Sequence, residues 1–265
     1  MASKKKLLDM LRFDDKRVMI TGAASGIGKA TALRFAEVGA DLQLIDINYK
    51  GLQRVRDEAS EFGVSVDIYR VDLAKKSEID ALWERIRGNE PDILINNAGI
   101  YPFRDFLDID EDFFGRIVDI NWSSVFWMSQ HFIRSRLGKG GVIINIGSVE
   151  AILPFEENLA HYTMTKGGVL ALTRNLAKKY GRKGFRINAI IPGGIVTPGF
   201  KNVAKNILKM DFGLIKTGIE FRWRLPLGRF GSADEVARMI VVLASDLASY
   251  VHGALIPVDG GFLSA

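Results

Sequence analysis

The fold this sequence predicts is an α/β doubly wound parallel sheet of about seven strands, in a single domain with helices on both faces. Three observations carry the prediction. Short apolar runs alternate along the chain with amphipathic segments of helical period. Several of the runs are nearly continuous in apolar residues, as strands buried on both faces of a parallel sheet must be. A glycine-rich turn joins the first run to the first helical segment.

In chain order, the strands are expected at residues 17–21, 41–46, 64–71, 92–96, 141–147, 185–191 and 254–258. Helical spacing is clearest over 158–180, where Val169, Leu172 and Leu176 fall on one side. Right-handed crossovers limit how such units can be joined. Ligands of doubly wound sheets sit outside the carboxyl ends of the strands. Four notable groups fall there: the glycine-rich turn after strand one, Asp46 at the end of strand two, Asn96-Asn97-Ala98-Gly99 at the end of strand four, and Ser148 after strand five.

Composition narrows the function classes. The 265 residues are 48% hydrophobic and 25% charged, with no Pro/Gly/Ser-rich linker, so residues 1–265 read as one domain with a short N-terminal extension over 1–14. No cysteine is present, which excludes disulfides, zinc–thiolate sites and thiol catalysis. His131, His161 and His252 lack metal-ligand spacing, so no metal site is expected; His161 is expected at the surface or on a pocket rim. No run approaches the roughly 20 apolar residues of a membrane span. Asp9 and Arg12 interrupt the basic N-terminus, which reads as neither signal peptide nor anchor, and a cytoplasmic protein with no membrane partner is expected. The net charge of +5 is spread along the chain, as on a solvated surface and not as in a nucleic-acid site.

The chemistry-bearing residues begin with the turn Thr21-Gly-Ala-Ala-Ser-Gly-Ile-Gly28. Glycines let backbone N–H groups approach a pyrophosphate, and a helix N-terminus adds a partial positive charge. Asp46 can accept hydrogen bonds from adenosine ribose hydroxyls and would repel a 2′-phosphate, favouring NAD over NADP, or it can end its strand and cap the next helix. Lys29 and Lys50 are cations that could moderate that preference. Asp72 can face the adenine or serve as a cap. Tyr162 and Lys166 stand at i and i+4, on one helix face, where an ammonium favours phenolate over phenol and suits the tyrosine to general-base work.

Together these residues resemble the short-chain dehydrogenase/reductase family over nearly the whole chain. The motifs are Thr21-Gly-x-x-x-Gly-Ile-Gly28, Asn96-Asn-Ala-Gly99, Asn121, Ser148, Tyr162-x-x-x-Lys166, Pro192-Gly193, Pro226-Leu-Gly-Arg-Phe-Gly231 and Val258-Asp-Gly-Gly261. The resemblance implies a Rossmann-type fold with Asn121, Ser148, Tyr162 and Lys166 as catalytic residues. Tyr162 would exchange the proton with substrate, Lys166 would lower its pKa and hold the nicotinamide ribose, Ser148 would position the substrate oxygen, and Asn121 would hold a relay water. It also implies cofactor contacts at Gly22, Ser25, Gly26, Ile27, Gly28, Asp46, Asp72, Leu73, Asn97, Ala98 and Gly99. The segment after Pro192 and Gly193, with Ile195 and Thr197, would contact the nicotinamide amide, and Tyr162 and Lys166 its ribose. Homotetramer assembly is a further implication. Two departures stand out: Gly147 replaces the first of two serines the family often carries, and Ser148 to Tyr162 is one residue longer than the family spacing. A loop absorbs such an insertion at little cost.

The expected activity is hydride transfer between NAD and a secondary alcohol or ketone, a sugar or polyol being the candidate small-molecule substrate. The alternatives are a 3-oxoacyl-carrier reductase using NADPH and a non-catalytic NAD-binding regulator. By family analogy Glu150, Leu153, Phe155, Glu156 and a lid over 199–224 would surround the substrate. Glu150 reads either as a partner for a sugar hydroxyl or as a solvated loop carboxylate. Lys201, Lys205 and Lys209 form one face of a lid helix, either basic and ligand-attracting or simply solvated. Phe221-Arg-Trp-Arg224 suits the far side of that lid or a subunit contact.

Overall fold

A computed structural model of the protein describes residues 6–197 and 221–265. Its main sheet contains β1 (Arg17–Thr21), β2 (Asp41–Asp46), β3 (Val66–Arg70), β4 (Ile93–Asn96), β5 (Gly141–Ile146), β6 (Phe185–Pro192) and, at the far edge, β9 (Leu255–Val258). The order is β3-β2-β1-β4-β5-β6-β9 and every pairing is parallel. The expected strands are present with ends shifted by a residue or two, the largest change being the shorter β3. A further parallel pair, β7 (Ile195–Val196) with β8 (Gly231–Ser232), has no counterpart in the sequence reading, because two residues are too few to show alternation.

Helices among the described residues are α1 (Gly26–Glu37), α2 (Tyr49–Ser60), α3 (Lys76–Arg85), α4 (Glu111–Val118), α5 (Ser124–Ser135), α6 (Ala160–Tyr180) and α7 (Ala233–Ala244). Strand side chains alternate between two cores, as the period of a pleated strand requires. Val18, Ile20, Leu42, Leu44, Ile93, Ile95, Ile144 and Ile146 pack on the side of α1, α2 and α7. Met19, Ile45, Leu94, Ile143 and Ile187 pack on the other, with residues of α3, α5 and α6. Both faces are covered, which explains why the strands read as apolar runs.

Phe13 is buried and meets Phe35 of α1 edge to face at 5.1 Å. No helix among the described residues is long and apolar enough to cross a membrane. The lid assigned to 199–224, with Lys201, Lys205 and Lys209, lies outside the described residues except for 221–224, where Phe221 is packed and Trp223 is exposed.

Candidate active site

The strand order reverses direction of growth between β1 and β4, the place where doubly wound sheets bind ligands at the carboxyl rim. Gly22 follows β1 with φ +66°, a backbone state that L side chains rarely adopt; a Cβ there would stand 2.8 Å from Ala98 Cα. A Cβ on Gly28 would run into the Gly22 carbonyl oxygen, so the turn folds back on α1 only with glycine at this place. Ser25, the N-cap of α1, is extended and makes no side-chain capping bond to the first turn. A narrow cradle of backbone at a helix start, with its side-chain space kept empty, fits a pyrophosphate. A Cβ on Gly26 would lie 3.5 Å from the Thr197 side chain, so that cradle is faced by the segment after β6.

The motif after β4 braces the cradle. Thr21 Oγ1 accepts hydrogen bonds from the Asn97 and Ala98 amides, both at 3.0 Å. Asn97 Nδ2 donates to the Thr21 and Gly22 carbonyls at 2.9 and 3.1 Å. Asp46 accepts from the Ala24 amide at 3.0 Å and from the Asn48 amide at 2.8 Å, tying its carboxylate to the turn itself. The cap of α2 is Asn48, not Asp46. Lys29 is engaged by Glu58 at 2.7 Å. Asp72 closes its own turn, accepting from the Ala74 amide at 3.1 Å, and Leu73 turns its side chain into the core. Pro192 ends β6, Gly193 pairs with Val258, and Ile195 lies in β7.

At the centre of the rim Lys166, 3% exposed, donates from Nζ to the Ile146 carbonyl at 2.7 Å. Gly99 lies against it: a Cβ there would be 3.4 Å from both Lys166 Nζ and Asn121 Oδ1. Asn121 sits in a π-helical turn, Asp119–Ser123, between α4 and α5. Such a turn inserts one residue and redirects a side chain, often at functional sites. Its amide clamps Ile100, donating to the carbonyl at 2.7 Å and accepting from the N–H at 2.8 Å. The side chain therefore satisfies backbone groups beside a helix irregularity.

Ser148 Oγ accepts from the Glu150 amide at 3.2 Å and also hydrogen-bonds Tyr162. Burial pushes the Tyr162 phenol up to about 12, and the Ser148 bond pulls it back only in part. Burial likewise lowers the Lys166 ammonium to about 8. Lys166 Nζ is 5.8 Å from the Tyr162 ring centroid. Loss of hydration outweighs the ammonium, so the low phenol pKa expected from i, i+4 spacing alone is not what the site presents.

Glu150, weighed as a sugar partner or a solvated carboxylate, is not solvated. It is 8% exposed, and its carboxylate accepts from the Phe155 amide at 3.0 Å and from the backbone of Glu156, stapling the loop that carries the extra residue. Leu153, by contrast, is exposed. His161 is also inside, 3% exposed, with Nε2 donating to the Pro102 carbonyl at 2.8 Å. Phe113, edge to face at 4.9 Å, and the loop after β4 cover it.

Two groups escaped the sequence reading. Tyr101 lies edge to face with Tyr162, centroids 6.1 Å apart, and hydrogen-bonds Thr197. Its only signal was its place just after the rim motif. Asn145 links Asn96 (2.8 Å) to Thr173 (2.9 Å), pinning β4 and β5 to α6; a lone asparagine inside an apolar strand was the clue.

Similarity to known proteins fits this geometry. A family model described as enoyl-(acyl carrier protein) reductase matches residues 22–263. A 3-oxoacyl-[acyl-carrier-protein] reductase of Thermotoga maritima is 34% identical over 258 residues, 96% of this chain and 100% of that protein. The chain belongs to the short-chain dehydrogenase/reductase family. An NAD(P)-dependent L-rhamnose 1-dehydrogenase of Azotobacter vinelandii is 36% identical, covering 93% of this chain and 96% of the relative. The structure of L-sorbose reductase from Gluconobacter frateurii, complexed with NADPH and L-sorbose, superimposes with a TM-score of 0.88 at 29% identity, over 96% and 99% of the two chains. As a short-chain dehydrogenase/reductase, the protein is an NAD(P)-binding oxidoreductase acting on hydroxyl and keto groups. At Gly147, where it departs from the family, a Cβ would stand 2.7 Å from Leu170 Cδ2, the tip of a flexible side chain.

Proposed function

We propose that the protein interconverts a secondary alcohol, in a sugar or polyol, with its ketone, using NAD. The observation that carries this reading is the convergence of Ser148, Tyr162 and buried Lys166 beside a glycine-lined dinucleotide cradle whose outer end holds the Asp46 carboxylate. The nicotinamide, when bound, would supply the hydride chemistry at the carbinol carbon. The chain's own residues manage the proton and the oxygen. Ser148 and Tyr162 hold the substrate oxygen, and Tyr162 Oη receives the hydroxyl proton as the carbonyl forms. A phenol held near 12 is scarcely ionised at neutral pH, so further positive charge is needed to draw the proton relay forward; a bound oxidised nicotinamide would supply it. Lys166 would hold the ribose, and the turn Gly22 to Gly28, with Ser25, Gly26 and Ile27, the diphosphate. Gly193, Ile195 and Thr197 would flank the nicotinamide, Asn97, Ala98 and Gly99 the adenosine side, and Asp72 and Leu73, through backbone, the adenine. The clamp on Ile100 occupies the side chain of Asn121, so any relay water would be held by its backbone.

Asp46 supports NAD because a 2′-phosphate would meet a carboxylate, and Lys29, paired with Glu58, is poorly placed to neutralise it. The test is initial rates over secondary alcohols, sugars and polyols with NAD and NADP in parallel, for wild type and Tyr162→Phe. Turnover with NAD, lost in Tyr162→Phe while dinucleotide binding persists, is the expected result. Preference for NADPH with acyl-carrier substrates would instead support the reductase reading that the Thermotoga relative suggests. Binding without turnover of any substrate would leave a non-catalytic regulator. A homotetramer in the cytoplasm belongs to the same proposal, and sedimentation of the purified chain as a monomer would remove the assembly from it.

A further inference from the structure

The position of Tyr101 is set from both sides by residues next to the reacting centre. Ile100, just before it, is clamped at both N–H and carbonyl by Asn121. Pro102, just after it, gives its carbonyl to His161, the neighbour of Tyr162. Between these anchors the Tyr101 ring is half-buried and lies edge-on to the Tyr162 ring, 6.1 Å between centroids and 64° between planes. Its hydroxyl is engaged by Thr197, whose side chain faces Gly26 of the dinucleotide cradle. A second polar hydrogen therefore stands at the mouth of the site. At Gly147, the position where the family often carries a serine, a Cβ would stand 2.7 Å from Leu170 Cδ2.

We propose that Tyr101 is a second substrate contact, its hydroxyl exchanging Thr197 for an oxygen on the carbon adjacent to the one held by Ser148 and Tyr162, so that vicinal diols and α-hydroxyketones are favoured over isolated alcohols and ketones. The inference rests on the proposed dehydrogenase activity and names the substrate class of that site. The physical reason is the exchange itself. A substrate with a neighbouring hydroxyl replaces the bond to Thr197, whereas one without it leaves the phenol with Thr197 and gains nothing from it. A site built to hydrogen-bond a hydroxyl discriminates against analogues that lack it. The ring edge against Tyr162 holds the two phenols at one site.

The test compares kcat/KM for trans-cyclohexane-1,2-diol with cyclohexanol, and for 2-hydroxycyclohexanone with cyclohexanone, at saturating cofactor. Wild type is expected to favour the hydroxylated member of each pair by about tenfold, the size of one substrate hydrogen bond. Tyr101→Phe keeps the ring and removes the hydroxyl, and should erase most of that ratio, mainly through KM. Thr197→Val removes the resting partner and should keep or raise the ratio, an outcome a purely structural Tyr101–Thr197 link does not give. A ratio near one in wild type, an unchanged ratio in Tyr101→Phe, or a collapsed ratio in Thr197→Val each overturns the inference while turnover persists. Absence of turnover on all four compounds and on the wider alcohol panel, in protein that binds dinucleotide, overturns the dehydrogenase reading and this inference with it.

Discussion

At Tyr162 lost hydration raises the phenol to about 12, and at Lys166 the same loss lowers the ammonium to about 8. Each group is held nearer its neutral form, because a buried charge without an opposite partner is costly. The linkage for Lys166 follows from its folded value lying below the unfolded 10.5. Between about pH 8 and 10.5 the unfolded chain binds more protons than the folded one, so stability from this residue rises with pH across that window. Measured as the difference in urea-unfolding free energy between wild type and Lys166→Met, wild type should gain about 1–2 kcal/mol relative to the variant from pH 7.5 to 9.5. A pH-independent difference would mean that the ammonium is solvated. The spacing of Tyr162 and Lys166 was legible in the sequence because it is a local helical property. The direction of the phenol's shift was not, because burial comes from Tyr101 and other groups distant in the chain.

Single elements carry the site only where other segments finish them. Helix α7 is started by a capping box, Ser232 with Glu235, readable from four adjacent residues. Its end is finished by Arg186 of β6, whose guanidinium donates to the carbonyls of Leu243, Ala244, Ser245 and Ala248 at 2.7–3.1 Å. A cation with a planar fork of donors suits the negative end of a helix. Arg186→Met leaves those carbonyls without their donor and should cost about 2–3 kcal/mol in chemical unfolding, with Arg186→Lys recovering only part. A loss within about 0.5 kcal/mol, the range of an ordinary surface change, would refute this role. The π-turn holding Asn121 was likewise outside sequence reasoning. One inserted residue in a continuous helical stretch leaves no mark on apolar periodicity, whereas the clamp on Ile100 shows what it does.

Over the whole molecule, the wall of the site is joined to the C-terminus by stacked rings. Phe221 stacks on Phe262 at 4.7 Å and on Phe230 at 5.9 Å, and Phe155 meets Phe221 edge-on at 5.2 Å. Phe155 belongs to the loop stapled by Glu150 next to Ser148, so Phe262 supports that loop from the far end of the chain. Phe262→Ala should cost about 3–5 kcal/mol of stability, and in the protein that remains folded should raise KM more than it lowers kcat. Unchanged KM beside a clear stability loss would show the cluster to be packing alone. No local pattern announces these contacts. Phe155, Phe221, Phe230 and Phe262 are spread over more than a hundred positions of chain.

The sequence by itself determined the alternation of strands and helices, the seven-stranded parallel sheet, and the rim positions of the glycine-rich turn, Asp46, Ser148, Tyr162 and Lys166. These are short-range matters of period, turn chemistry and strand end, written in neighbouring residues. Tertiary structure decided the ionisation of Tyr162 and Lys166, the burial of Glu150 and His161, the crowding of Gly147 by Leu170, and the approach of Tyr101 to Tyr162. Those depend on which distant side chains remove water and occupy space. Hydration and close packing are properties of the assembled interior, and no one segment contains them.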